Sequence, residues 1–459
     1  MSLGSDLRNT FSHPKDALRN YFAQRVVYAW EVPSIMRKHI YTGAMGSIYF
    51  TLMGGLFFVY FGNSIGMSRF QWGLMGGIAS FALASQIASA LMTERLGKRK
   101  LIWFWAAFAG RALRVAGILF ALALWHRGHA HASWVLMFVV AASNFFDAFA
   151  GPPWLSWLAD IIPERQHGRF WGRRSAWIAL ANVCVLVPAG FFMDRSPEEW
   201  KVATATIIFM AAGVIGLLDL VIHGTLPEPE LLLPKENHVR ARLTAPLFDR
   251  EFRPWLVFNL CWTFSMTLGG SLATLYFLDE LGIKRNFLGG TIVLSALPLV
   301  GSIITGRWSG KLVDKAGTKR VLYWGHIFWG TLPFFWLVSS PGTALWILTI
   351  SSVLGGTSST AASNAANKII TRLPAAENRA MYVAVSACLG SLAGGVAVLT
   401  AGTVLKVLGD WQWEVFGWPV TAFKIIFISS LVLRLTSALT LIGRINEPQA
   451  AEDAEEGRL

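Results

Sequence analysis

The chain has 459 residues, of which 54% are hydrophobic and only 15% charged, with mean hydropathy +0.48. Soluble domains carry about a quarter charged residues, so a string of ordinary soluble domains is excluded. The net charge is nevertheless +13, from 40 Lys and Arg against 27 Asp and Glu, which leaves a nucleic-acid binder or a membrane protein, and the placement of the basic residues separates these.

The first segment, residues 1–39, opens on MSLGSDLRNTFSHPKDALRN, which is polar and lacks the apolar core of a signal peptide. Within it Ala17, Leu18, Tyr21, Phe22, Val26 and Trp30 recur at helical spacing with Arg19 and Arg25 between them. That spacing predicts an amphipathic helix, lying either in the membrane interface or against the protein itself. A membrane helix needs about 20 mostly apolar residues. Twelve such runs follow, at roughly 40–61, 71–92, 101–125, 133–159, 175–193, 202–223, 254–278, 287–306, 321–338, 344–367, 380–405 and 419–443. Small residues crowd several of them, as in GGIASFALASQIASA (76–90), which suits close helix packing in lipid. No alternating strand pattern of a β-barrel occurs. Residues 224–253, rich in Pro, Glu and Lys, read as a linker between the sixth and seventh runs, and residues 444–459 as a solvated acidic tail.

With both termini on the cytoplasmic side, the segments on the opposite side hold seven Lys/Arg and seven Asp/Glu, and the cytoplasmic segments hold 29 Lys/Arg and 18 Asp/Glu. A 29-to-7 bias fits the positive-inside rule. The basic residues are thus loop ends rather than a nucleic-acid-binding stripe. The three cysteines, Cys184, Cys261 and Cys388, all lie in apolar runs, and no C-x-x-C or Cys/His cluster exists, so neither a disulfide framework nor a metal site is expected. No Walker loop, G-x-S-x-G or H-E-x-x-H motif is present, so the chain reads as neither an enzyme nor a cofactor binder.

The loop after the second run, ALMTERLGKRK (90–100), aligns without gaps on the loop after the eighth, GKLVDKAGTKR (310–320). Gly97 matches Gly317, Glu94 matches Asp314, Arg99 matches Lys319 and Lys100 matches Arg320. A second pair, PERQHGRFWGRRSA (163–176) and PAAENRAMYVAVSA (374–387), supports the repeat. Two parallel six-helix halves, 40–223 and 254–443, suit bundles that rock about a shared midplane site.

The second loop matches G-x-L-x-D-[RK]-x-G-x-[KR]-[KR] from Gly310 through Lys315 to Arg320, and thereby resembles the cytoplasmic-loop motif of the major facilitator superfamily. The first departs at Ala90, Met92 and Glu94 but keeps Arg95, Gly97, Arg99 and Lys100. The resemblance covers about residues 35–445. It implies an all-α membrane protein of twelve helices in two six-helix bundles related by pseudo-two-fold symmetry, acting by alternating access as a monomer in the cytoplasmic membrane. It also implies that the loop motif gates the cytoplasmic side. Asp314 is expected to accept hydrogen bonds from the first amides of the eleventh helix or to pair with Arg379, and Glu94 to act with Arg169. Residues 151–174 also resemble sugar–cation symporters, although the acidic pair those carry on helix 2 is absent, where only Ser80, Ser85 and Gln86 stand.

Ionisable groups inside the spans are costly and therefore informative. Arg111 and Arg114 lie one turn apart on the third helix, and Asp147 lies midway along the antiparallel fourth. An Arg111–Asp147 pair is expected, serving either as a proton or substrate-cation site or as a fixed structural bridge. Asp219 and Arg434, nearer the cytoplasmic ends of helices 6 and 12, are expected to snorkel, and His326 to be packed and hydrogen-bonded. By the resemblance, helices 1, 4, 7 and 10 line the path, where Tyr49, Asn144, Trp154, Asn259, Trp262, Thr263, Thr267, Ser359, Ser363, Asn364 and Asn367 offer donors, acceptors and stacking faces for a polar, mostly uncharged solute. The same groups also serve as interhelical glue. The expected function is proton-coupled transport of a small polar solute; export, or a non-transporting assembly or sensor role on the same fold, is the alternative.

Overall fold

A computed structural model describes residues 21–68, 71–72, 74–75, 78, 82–231, 239–282, 295–408, 412–415 and 418–447. The first half comprises α1 (Val32–Leu52), α2 (Gly55–Ser64), α3 (Ser85–Leu96), α4 (Arg99–His126), α5 (Ala132–Ile161), α6 (His167–Arg195) and α7 (Lys201–His223). A short α8 (Val239–Phe248) follows in the connecting segment. The second half comprises α9 (Arg253–Asp279), α10 (Leu297–Ala316), α11 (Thr318–Gly330), α12 (Leu332–Val338), α13 (Ala344–Arg372), α14 (Arg379–Leu408) and α15 (Ala422–Leu441). A hairpin of β1 (Gln412–Val415) and β2 (Trp418–Thr421), with Trp413 opposite Val420, joins α14 to α15.

Among the described residues, nine stretches are long and apolar enough to cross a membrane. The Ser/Thr/Asn run of α13 keeps it off that count, and the second and eighth runs fall partly on residues outside the description, including 287–294. Proline at the first turn starts α1, α9, α10 and α12, where its missing N–H costs nothing. Gly97 ends α3 in the left-handed region (φ 63°), a conformation only glycine enters freely.

α1 packs on α6 and α7, and α5 on α3 and α4, to form one bundle; α9 packs on α14 and α15, and α13 on α10 and α11, to form the other. The bundles meet where α6 crosses α10 and where α3 crosses α14. At the α6–α10 crossing four glycines face each other. A Cβ on Gly306 would stand 2.7 Å from the Gly172 carbonyl oxygen, and one on Gly168 would stand 2.7 Å from that of Gly310. The backbones touch because no side chain intervenes. Both loop-motif turns, Gly97 and Gly317, lie at this end of the molecule, called here the motif end.

Two expectations change. Among the described residues of the segment 17–30, residues 23–28 do not form the expected helix, and Gln24 bridges to Glu228 with Arg25 N–H donating to the Glu228 carbonyl (2.9 Å). Residues 17–20 lie outside the described residues. The cause is polar: Gln24 Nε2 donates to the Gly97 carbonyl (2.6 Å) and Lys100 Nζ to that of Tyr21, which draws the strand onto the loop motif. Second, the basic ends of several runs remain helical, so α6 begins at His167 and α10 continues to Ala316, which places Asp314 in the last turn of α10 rather than past it.

Candidate functional site

At the motif end the chemistry is a clamp between bundles. Asp314 does not reach the eleventh helix of its own half. Its two oxygens accept from the backbone N–H groups of Gly168 (3.0 Å) and Arg169 (2.9 Å), in the first turn of α6 in the opposite half. A carboxylate there also meets the positive end of the helix dipole. Arg169 Nε (4.0 Å) and Lys368 Nζ (3.8 Å) stand near it. Arg379 is not its partner: Arg379 pairs with Asp160, at the end of α5, and Asp160 also receives Arg99. One carboxylate thus joins a guanidinium of each half. Glu94 pairs with Arg242 of α8 rather than with Arg169, because α8 lies against α14 beside it and delivers its guanidinium there. Arg99 N–H donates to Glu228 Oε1 (2.6 Å), and Lys319 N–H to Glu447 Oε1 (2.7 Å), so the two loop motifs each hold an acidic residue from a flanking segment. Burial pushes the Glu228 carboxyl above the usual range, against the lowering effect of the Arg99 amide and guanidinium. Arg95, Lys98, Lys315 and Arg320 lie at or near the surface of this end.

Within the first bundle the arginines choose different partners than the spacing suggested. Arg114 Nη2 pairs with Asp147 Oδ2 (3.2 Å), while its Nε donates to Ser143 Oγ (2.8 Å) and its Nη2 also reaches Asn144 Oδ1. Arg111 pairs with Asp219 Oδ2 (2.7 Å) and donates to the Gly216 carbonyl. Asp219 is therefore a buried partner rather than a snorkelling group. Arg434 is buried as well: it donates to the Met266 carbonyl (2.9 Å) and stacks on Trp336. Asp219 and Arg434 are 4% and 1% exposed, so neither carries its charge out to the helix end. A pocket of about 220 Å³ inside this bundle is lined by Thr42, Arg111, Asp147, Trp154, Arg174 and Asp219, among others.

A second pocket, of about 400 Å³, lies between α9 and α14, with Leu83 on its lining. Asn259, Thr263 and Thr267 line it with Ser386 and the glycines 390 and 394. The other neutral candidates divide. Tyr49 and Trp262 are core residues, the first against Arg111 and the second against His326, whose Nδ1 contacts the Leu322 carbonyl (2.8 Å). Trp154 stacks on the Arg174 guanidinium (5.1 Å). Asn364 links the bundles: it receives Ser175 Oγ (3.1 Å) and donates to Ser309 Oγ (3.0 Å). Ser359 bonds within its own helix, Asn367 is half-buried and Ser363 is exposed. Sequence reasoning passed over Asp160, Arg174 and Arg242. Asp160 alone had a signal, a carboxylate at the end of an apolar run one turn before Pro163.

A family model described as Major Facilitator Superfamily matches residues 40–398. No curated protein matches. Among solved structures, the chain is similar to a bacterial homologue of the iron transporter ferroportin in an outward-facing state (16% identity, TM-score 0.60, 89% of this chain and 99% of that one). It is also similar to the E. coli fucose:proton symporter FucP (13%, 0.64, 91% and 100%) and to the proton:xylose symporter XylE bound to 6-bromo-6-deoxy-D-glucose (13%, 0.64, 89% and 96%). At these identities the likeness establishes the fold, twelve helices in two six-helix bundles.

Proposed function

The chain belongs to the major facilitator superfamily, and on that premise we propose that it is a secondary active transporter that takes up a small polar solute with a proton. The Lys/Arg asymmetry supports the motif end as cytoplasmic, in an inner membrane with both termini inside. The tight α6–α10 crossing and the Asp314 and Asp160 contacts support a state closed at that end. Alternating access then consists of parting this seam while the opposite end closes. The asparagine and threonines between α9 and α14 offer the solute paired donors and acceptors without charge.

One observation carries the proton coupling, the buried Arg114–Asp147 pair with Ser143 and Asn144 beside it. When Asp147 is neutralised, the guanidinium keeps two neutral acceptors and is not left bare. Protonation is therefore far cheaper than at a pair whose arginine would be orphaned. The test is uptake in proteoliposomes under an imposed pH gradient, read by an internal pH dye while a panel of polar solutes is presented. Solute-dependent proton entry is expected. Accumulation that ignores the gradient would overturn the coupling, and no transport of any solute in either direction would favour the assembly or sensor reading.

A further inference from the structure

The motif end carries a second feature that gating does not use. α1, α6 and α10 present parallel stripes, each basic at the motif end and apolar above it. On α1 the stripe is Arg37 then Tyr41; on α6 it is Arg173 then Trp177; on α10 it is Lys311 then Trp308 and Ile304. Tyr41 (58%), Trp177 (46%), Trp308 (64%) and Ile304 (66%) are exposed, an arrangement a membrane protein reserves for lipid. The basic ends converge on a groove of about 640 Å³ lined by Arg37, Arg169, Arg173 and Lys311 with Met36, Ile40 and Phe170. A second groove of about 340 Å³ shares Arg37, Ile40 and Arg173 and leads along the helices to the edge-on Tyr41–Trp177 pair. No carboxylate among the described residues lines either groove. Among the described residues Arg37, Arg173 and Lys311 have no acidic partner, and the carboxylate near Arg169, that of Asp314, is held by backbone amides.

Four cations around a groove floored by Met36, Ile40 and Phe170, continuing to an aromatic-rimmed groove along the helices, match one ligand chemistry, a phosphate diester with acyl chains attached. We propose that this groove binds the headgroup of an anionic phospholipid, its phosphate among Arg37, Arg173 and Lys311 and an acyl chain along Tyr41 and Trp177. Arg37 and Arg173 belong to the first bundle and Lys311 to the second. The lipid therefore bridges the two only while α6 and α10 are in contact, and it favours the closed motif end by its differential affinity for that state. Anionic lipid thus acts as an allosteric brake on opening at this end.

The test is thermal unfolding of the purified protein in detergent with added dioleoylphosphatidylglycerol, dioleoylphosphatidylcholine or inorganic phosphate. The variants are Arg37→Gln/Arg173→Gln/Lys311→Gln and a control that removes equal charge elsewhere at the same end, Arg240→Gln/Arg250→Gln/Arg444→Gln. A charge near an anionic surface is worth about fivefold in affinity, so the groove variant loses roughly a hundredfold for phosphatidylglycerol while the control keeps it. Equal losses in both variants would assign the effect to the general surface field and overturn the site. The same protection by inorganic phosphate alone would assign it to a soluble anion and overturn the lipid. If the groove variant does not fold, brominated lipids decide with intact charges. Brominated phosphatidylglycerol is expected to quench the wild type more than brominated phosphatidylcholine, and Trp177→Phe to erase the difference. Equal quenching by the two lipids refutes the proposal.

Discussion

Asp314 of one bundle accepts a hydrogen bond from the backbone N–H of Gly168 in the other, at 3.0 Å, where α6 begins. Its donor and acceptor ride on different halves, so the proposed parting of the seam would break it. It does double service, since two amides at a helix start are otherwise without partners and the Arg169 amide shares the same carboxylate. Closure therefore satisfies groups that opening must expose to water or to new partners.

Asp314→Ala removes that satisfaction and is expected to shift the population toward an open motif end. Spin labels at Lys38→Cys in the first bundle and Lys315→Cys in the second report the separation, since both sites are exposed. A longer-distance population should grow in the variant. An unchanged distance distribution would remove Asp314 from the gate.

Gly306→Val tests the same seam by repulsion. A single Cβ there would stand 2.7 Å from the Gly172 carbonyl oxygen, and valine adds two more carbons. Overpacking of this kind costs about 1–3 kcal/mol. The expected outcome is a lower melting temperature together with the widened label distance. A variant that melts lower but keeps the closed distance would mean that the helices absorb the bulk by local shifts and that the glycines do not set the seam.

How much of this the chain itself discloses differs from feature to feature. The runs, the repeat and the loop motif announced the architecture, because span length and the loop glycines are local properties. The partners were not legible. Arg111 and Arg114 are three residues apart, which on a helix leaves their directions about 60° apart. That angle is enough to aim one at Asp219 on α7 and the other at Asp147 on α5. Nothing in the spacing fixes how α4 is rotated between its neighbours. The cross-bundle contacts were hidden for a similar reason: whether Asp314 meets its own half or the other depends on how two separate bundles lean together, which the glycine contacts at 168, 172, 306 and 310 reveal only in the folded chain. Asp160 went unused because a carboxylate at a span end reads first as a solvated loop residue.

Asp160 binds Arg99 of its own half and Arg379 of the other, and both arginines are buried. Asp160→Asn leaves Arg99 with Glu228 but strands Arg379. Breaking a buried pair by removing one partner costs about 3–5 kcal/mol, and the half-buried position of Asp160 puts the expected loss near the lower figure. Arg379→Gln in the same chain should restore most of the melting temperature by removing the stranded charge. A double variant that falls by the sum of the two single losses would show that the two residues are not coupled.

Asp147→Asn is the decisive substitution for coupling. The amide is nearly isosteric with the carboxyl, and Arg114 keeps Ser143 Oγ and Asn144 Oδ1 as acceptors, so the fold should survive with a stability loss of about 1–3 kcal/mol. Exchange of labelled for unlabelled solute across the membrane should continue, because it requires only that the seam part and reseal. Accumulation driven by a pH gradient should vanish, because no group is left at that place to carry the proton. Asp219→Asn is the internal comparison: Arg111 would retain the Gly216 carbonyl as its acceptor there, and gradient-driven accumulation should persist in whatever fraction folds. Proton entry that is undiminished in Asp147→Asn would remove Asp147 from the coupling step. Loss of the folded protein in Asp147→Asn, with Asp219→Asn tolerated, would make the Arg114–Asp147 pair a fixed brace between α4 and α5.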